Sequence, residues 1–322
     1  MSEMTDESEK DESLTYLAGP EAAKSLRQDP YWPKWDSPWW RFLLLHECGE
    51  NGRIPKVAAE SILRSMHDFF LPAFFPEELP PGKLPAHNIG CFCALGTIFP
   101  ALEAAGLDPD EALPWARAWL TKHSVWSGGL NCDDTQYHLP NPGSSIVATV
   151  AVLELFIESR SGPRNEEEKV FVDGLARDLL ARKLIFAFPG TSNAEEKEDE
   201  ADWRQLCFPR FYFYDLLRGL TAITRYAERM GSPISFAGIS EAVECMREKS
   251  ARGALQVERD AISSVGTYRN ESGKWVRTGT ASQHPLLEKS RAIGRVSPEL
   301  EAEWAATRDR IENLRRSGLI ID

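Results

Sequence analysis

Two groups of residues in this chain of 322 have the types and spacing for chemistry. The first is Asn131-Cys132-Asp133-Asp134-Thr135. Adjacent carboxylates in a partly buried mouth repel one another, so one of them holds its proton nearer neutrality. Asp133 and Asp134 are therefore candidates for a catalytic acid/base pair. The same residues also suit a solvated loop, or an Asx turn whose carboxylate caps local amides. The second group is a set of soft ligands. His87 and Cys91 stand four apart and share a helix face if a helix begins at Pro85. With Cys132, His138 and Cys207 they offer enough ligands for zinc. Close Cys-x-x-Cys or His-x-x-x-His spacing is absent, and scattered Cys and His in apolar helices are usually core residues. No cofactor is favoured on this basis, and zinc is the alternative. Trp126, Trp203, Phe211, Tyr212 and Tyr214 are the aromatic side chains expected to line a hydrophobic substrate. Asp215 and Arg218, one helical turn apart, read as a buried ion pair or as contacts to neighbouring helix ends. There is no Walker loop, G-x-G-x-x-G, G-x-S-x-G or H-E-x-x-H motif.

Positioning these residues falls to a repeated unit. Each copy reads as an apolar helix, a Gly stop, a polar turn, an amphipathic helix and a long aromatic-rich loop. The first unit opens at Asp36-Ser37-Pro38, where Pro suits the first helical turn. It runs apolar from Trp39 to Cys48, stops at Gly49, and its partner reaches about Phe70. The second has Ile89 to Ala105, then Gly106, then Asp108-Pro109 opening a partner to about His123. The third has Ser144 to Ser159 with a partner from Glu166 to about Phe186. The fourth has Pro209 to Met230 with a partner from Ile239 to about Arg252. Unit starts are spaced by about 52, 55 and 65 residues. First helices apolar on every side are buried on every side, whereas the second helices can bury only one stripe. Inner helices around a centre and outer helices against solvent satisfy both patterns. The long loops then gather on one face, with Asp133, Asp134, Cys207 and Tyr212 among their residues. A solenoid is the competing arrangement.

The net charge of −12 is concentrated in two stretches. Residues 1–13 and 194–202 each carry six acidic side chains and one Lys, and both are expected to be disordered. The remaining body is near neutral, with no basic stripe for phosphates, so a nucleic-acid partner is not expected. No apolar run is long enough for a membrane span. The N-terminus lacks a basic-then-apolar leader, so a cytoplasmic chain with six reduced cysteines is expected.

Trp126-Ser127-Gly128-Gly129-Leu130 and Phe211-Tyr212-Phe213-Tyr214-Asp215-Leu216-Leu217-Arg218-Gly219-Leu220 resemble the Gly/aromatic turns and helix starts of the α/α-toroid superfamily. That superfamily includes terpenoid cyclases of the squalene–hopene type and protein prenyltransferase β subunits. The resemblance covers residues 37–252 at the level of repeat style. It implies an all-α fold, a single or incomplete α/α toroid of inner and outer helices. Asn131-Cys132-Asp133-Asp134-Thr135 is similar to the cyclases' Asp-x-Asp-Asp-Thr motif, whose middle Asp is the proton donor, with Asn131 replacing the first Asp. The resemblance thus implies Asp133 as general acid in a cyclisation or prenyl-type transfer on an isoprenoid-like substrate. Prenyltransferase β subunits also hold zinc through Asp, Cys and His, but Phe213 or Tyr214 stands where their helix-start His is expected. The expected organisation is an acidic N-terminal segment over 1–30, a toroid core over 31–253, and a C-terminal extension over 254–322 with a closing or appended helix. Two alternatives stand beside the enzyme reading. One is a non-catalytic toroid that binds a lipid or protein partner. The other is a carbohydrate-active (α/α) barrel, which needs well-separated carboxylates rather than adjacent ones.

Overall fold

A computed structural model describes residues 6–188, 194–263, 265–279 and 284–322. Among these residues the chain is mainly helical, with sixteen α-helices and few strands. In chain order the first eight are α1 (Asp6–Ala18), α2 (Pro20–Leu26), α3 (Pro38–Glu47), α4 (Lys56–Phe69), α5 (Pro85–Asn88), α6 (Phe92–Ala104), α7 (Pro109–Ala112) and α8 (Ala116–Lys122). There follow α9 (Ile146–Glu158), α10 (Glu166–Ala181), α11 (Ala194–Glu198), α12 (Glu200–Trp203), α13 (Leu216–Met230), α14 (Ser240–Ala251), α15 (Pro285–Ser290) and α16 (Pro298–Arg316). The strands are β1 (Ile234–Ser235), β2 (Thr267–Glu271), β3 (Lys274–Thr278) and β4 (Ile320–Ile321). β1 pairs parallel with β4, and β2 pairs antiparallel with β3 through a turn at Gly273. Among the described residues no helix is long and apolar enough to cross a membrane. The chain divides into two compact units. One takes residues 1–90, 101–116 and 260–292; the other takes 91–100, 117–259 and 293–322. Of residues 254–322, 260–292 fall in the first unit and 254–259 and 293–322 in the second.

The first unit is built on α3. Ser37 precedes Pro38 at its start, and Gly49 follows its end with φ +78°. Trp39, Trp40 and Phe42 to Leu45 are all buried, and Tyr31 and Trp35 pack edge-on against Trp40. The acidic N-terminus corrects an expectation. Residues 6–13, expected to be disordered, belong to α1, which packs on α3 and α15. Residues 1–5 of that stretch lie outside the described residues. Charge counting along the chain missed the counterions, which arrive from distant positions. Arg53 pairs with Glu7 and Asp11, Lys10 with Glu50, and Lys289 with Glu9. Leu17, buried, anchors the helix's apolar side.

His284 precedes α15, is 3% exposed, and neither ring nitrogen has a hydrogen-bond partner among the described residues. Burial, reinforced by the nearby Arg41 cation, pushes its pKa from 6.5 down to about 3. The unfolded chain therefore takes up this proton before the folded one does. Stability is complete above about pH 6.5 and falls as pH drops toward 3, with about 2 kcal/mol lost by pH 5. Urea titrations at pH 7.5 and 5 should show that loss in the wild type and a flatter slope in His284→Gln. Equal slopes in the two proteins would refute the assignment.

The second unit is organised around α9. Ten of its residues are buried, and it packs against α10 and α13. α10 places Phe171, Val172, Leu175 and Leu179 inward, the amphipathic partner expected of an outer helix. α13 ends at Gly231 with φ +62° and packs in turn on α16, which buries Leu300, Trp304, Ile311 and Leu314. Residues 194–202, also expected to be disordered, form α11 and α12. Glu196 is drawn in because its carboxylate meets Arg182 at 2.8 Å and the amide of Ile146, at the start of α9, at 2.5 Å.

Candidate functional site

α6 opens with Cys91-Phe92-Cys93. Cys91 lies just outside the helix, where its carbonyl accepts the Leu95 amide, and Cys93 lies in the first turn. Two residues apart within a helix would diverge; placing the first at the non-helical cap lets both thiols face one point. Cys91 Sγ is 3.0 Å from Cys93 Sγ and 3.2 Å from Cys132 Sγ. All three sulfurs lie within 4.8 Å of one another, and among the described residues no other His, Cys, Asp or Glu joins them.

Cys132 is positioned by its neighbours. Asn131 donates its side-chain amide to Gly143 O (2.7 Å) and its backbone amide to the Tyr137 hydroxyl (3.2 Å). The Tyr137 hydroxyl donates in turn to His123 O at 2.8 Å. Asp133 N donates to Asn131 Oδ1 at 3.0 Å, closing a tight turn around the thiol. Asn131 thus pins the loop that carries Cys132.

The three thiols lower the cost of one negative charge. Hydrogen bonding with Cys132 and then with Cys93 holds Cys91 well below the usual thiol range. Cys132 is driven well above it, because its proton is shared with Cys91 and further charge there meets the charge already present. The Tyr212 phenol is raised by burial and then by Cys93, Cys91 and Cys132, so it stays protonated. Tyr212 stacks on Phe213 at 4.6 Å between ring centres.

The zinc set expected from spacing is taken apart. Of that set, Cys91 and Cys132 belong to the cluster. His87 lies in the first unit, where its Nδ1 meets the buried Asp29 carboxylate at 2.6 Å. His138 is exposed at the end of a short 3-10 turn. Cys207 is buried, 3.8 Å from Asp215 Oδ2 and 3.7 Å from Arg259 Nη2. Cys93 completes the cluster in their place. Cys93 went unweighed at the sequence level, although Cys-Phe-Cys ahead of an apolar helix was its signal.

Asp133 is engaged in its own turn. Asp133 Oδ1 accepts from the Thr135 amide (3.0 Å) and hydroxyl (2.7 Å), and Oδ2 from Gln136 Nε2 (3.4 Å). Asp133 is exposed and caps the turn over Asp134–His138, and Asp134 is half-buried within it. Of the expected aromatic residues, Tyr212 alone is placed beside the thiols by its interactions. Trp126 is 59% exposed, edge-on to Phe188 at 5.3 Å. Trp203 and Tyr214 are buried 5.8 Å apart, and Tyr214 donates to Leu184 O at 2.7 Å. Phe211 is buried at φ +51°, its carbonyl accepting from Arg218. Asp215 and Arg218 serve separate ends. Asp215 caps α13 and pairs with Arg210 at 2.8 Å, and Arg218 reaches Glu154 on α9 at 2.6 Å.

Comparison of the chain with known protein families, with curated proteins and with solved structures returns no match.

Proposed function

We propose that this chain is a zinc enzyme of α/α-toroid type, acting on a hydrophobic, isoprenoid-like substrate at Cys91, Cys93 and Cys132. The observation that carries the reading is the convergence of three sulfurs within 4.8 Å. Thiolates suit zinc, and three of them at about 2.3 Å from the ion would stand roughly 3.8 Å apart, a change that small side-chain torsions can supply. Three protein ligands leave the fourth position for substrate or water, the pattern of catalytic rather than structural zinc. Bound zinc supplies Lewis acidity at that position. Tyr212 keeps its proton and is the nearby donor for an oxygen that develops charge. The toroid reading is supported by the buried α9 and its half-exposed partner α10, the inner-and-outer pattern of one hairpin. Asp133, engaged with its own turn, has no part in this mechanism.

Native mass spectrometry and metal analysis of the purified chain test both halves. One zinc per chain is expected in the wild type. The Cys91→Ser/Cys93→Ser/Cys132→Ser variant should carry none while keeping its helical circular dichroism. A wild type that stays metal-free after zinc addition, or a triple variant that keeps its zinc, would overturn the metal centre. A wild type that retains no hydrophobic ligand from a panel of prenyl alcohols and diphosphates would overturn the substrate class.

A further inference from the structure

We infer that the same three sulfurs form an oxidative modification site, where a hydroperoxide converts Cys91 and Cys132 to a reversible disulfide that excludes metal. The inference rests on the cluster described above and does not require zinc to be its natural ligand. Its basis is geometric. Cys91 Sγ and Cys132 Sγ stand 3.2 Å apart, so bond formation needs about 1 Å of approach. Neither residue is held inside a helix: Cys91 precedes α6, and Cys132 lies in the loop before α9. Both residues are half-buried rather than fully buried.

The reaction balances in two steps. The Cys91 thiolate attacks the peroxide, its sulfur is oxidised to a sulfenic acid, and the O–O bond breaks to release an alcohol, or water from hydrogen peroxide. The Cys132 thiol then displaces hydroxide from the Cys91 sulfur, which leaves as water with the Cys132 proton. Two thiols and one hydroperoxide thus give one disulfide, one alcohol and one water. Cys93 Sγ lies 3.0 Å from Cys91 Sγ and can exchange into the new bond, giving an external dithiol a route to reverse it. Since the disulfide uses two of the three sulfurs, oxidation and zinc binding compete for the same atoms. Cys48, Cys207 and Cys245 lie outside the cluster and act as internal controls.

The test uses the full chain after metal removal, treated with one equivalent of hydrogen peroxide, alkylated and digested with trypsin. Cys91 and Cys93 fall on one tryptic peptide and Cys132 on another. The expected product is an intrachain cross-link between those two peptides, lighter by two hydrogens and reversed by dithiothreitol. It should form at least about tenfold faster than any oxidation of Cys48 or Cys245. In Cys132→Ala the first peptide should instead carry a sulfenic acid trapped by dimedone. Direct passage to sulfinic acid in the wild type, or a cross-link confined to Cys48, Cys207 or Cys245, would overturn the inference. A chain that takes up no zinc yet forms the cross-link would refute the metal centre and leave this inference standing. One that binds zinc but never cross-links when stripped would do the reverse.

Discussion

Replacing Arg182 with methionine is expected to destabilise the protein by about 3–5 kcal/mol, the usual result of removing one partner from a buried charge network. Arg182 is 0% exposed. Its Nε meets Asp178 Oδ2 at 3.0 Å, Nη1 meets Glu196 Oε2 at 2.8 Å, and Nη2 donates to Ser144 O at 2.8 Å and Oγ at 2.6 Å. Methionine keeps much of the volume and none of the five donors. Asp178 and Glu196 would then face one another with no cation between them. Burial already raises the Glu196 carboxyl, and Arg182 is the first group opposing that rise. Without it the carboxyl binds a proton more readily in the folded state than in the unfolded one. The variant's deficit should therefore shrink as pH is lowered from 7 toward 5. Urea denaturation at several pH values reads both effects. Adding Asp178→Asn and Glu196→Gln to Arg182→Met should recover more than half of the loss, because the uncompensated charges are gone. A loss below about 1 kcal/mol, or no recovery in the triple variant, would show that the network is not what holds Ser144 and the start of α9.

The second large effect is expected at Gly96, where α6 crosses α9 with its backbone in contact. A Cβ added there would lie 2.5 Å from the Ala151 carbonyl carbon, 2.6 Å from its oxygen and 2.8 Å from its Cβ. The first two are backbone atoms and the Cβ has no rotamer to move, so the helices must separate. Gly96→Ala should cost about 3 kcal/mol, at the upper end of ordinary overpacking. The displacement also bears on function, because α6 carries Cys91 and Cys93 at its start and Cys132 lies on a separately anchored loop. A shift of about 1 Å between them should weaken zinc binding by at least tenfold. Thermal melts and competition with a chromophoric zinc chelator measure the two consequences. Combining Gly96→Ala with Ala151→Gly relieves only the Cβ contact, so the rescue should be partial. Full rescue would mean that the side chain, not the backbone, sets the helix spacing; unchanged stability in Gly96→Ala would refute the close crossing itself.

The hairpins were legible because their signals are local. Ser37-Pro38 and Gly49 bracket α3, Asp108-Pro109 opens α7, and Gly231 ends α13, each at or within a residue or two of the place read from the chain. Caps and stops act over one turn, and a helix apolar all round, such as α9, can only be buried. The candidate site was half legible. Cys91 and Cys132 were singled out, but they were grouped with His87, His138 and Cys207 on the assumption that loops of successive hairpins meet. The missed partner is Cys93, in a Cys-x-Cys whose spacing looks wrong for a helix and becomes right because Cys91 is non-helical.

The amino-acid order by itself determined that this is a helical protein, where its hairpins turn, and that α9 is interior, because those outcomes follow from periodicity and capping within a few residues. Tertiary structure alone decided what the charged and soft side chains do. It brought Arg53 to Glu7 and Asp11, Arg182 to Glu196, and Cys132 to Cys91 across 41 positions. A carboxylate or a thiol acquires its chemistry from groups within about 4 Å, and at that range sequence distance carries no information.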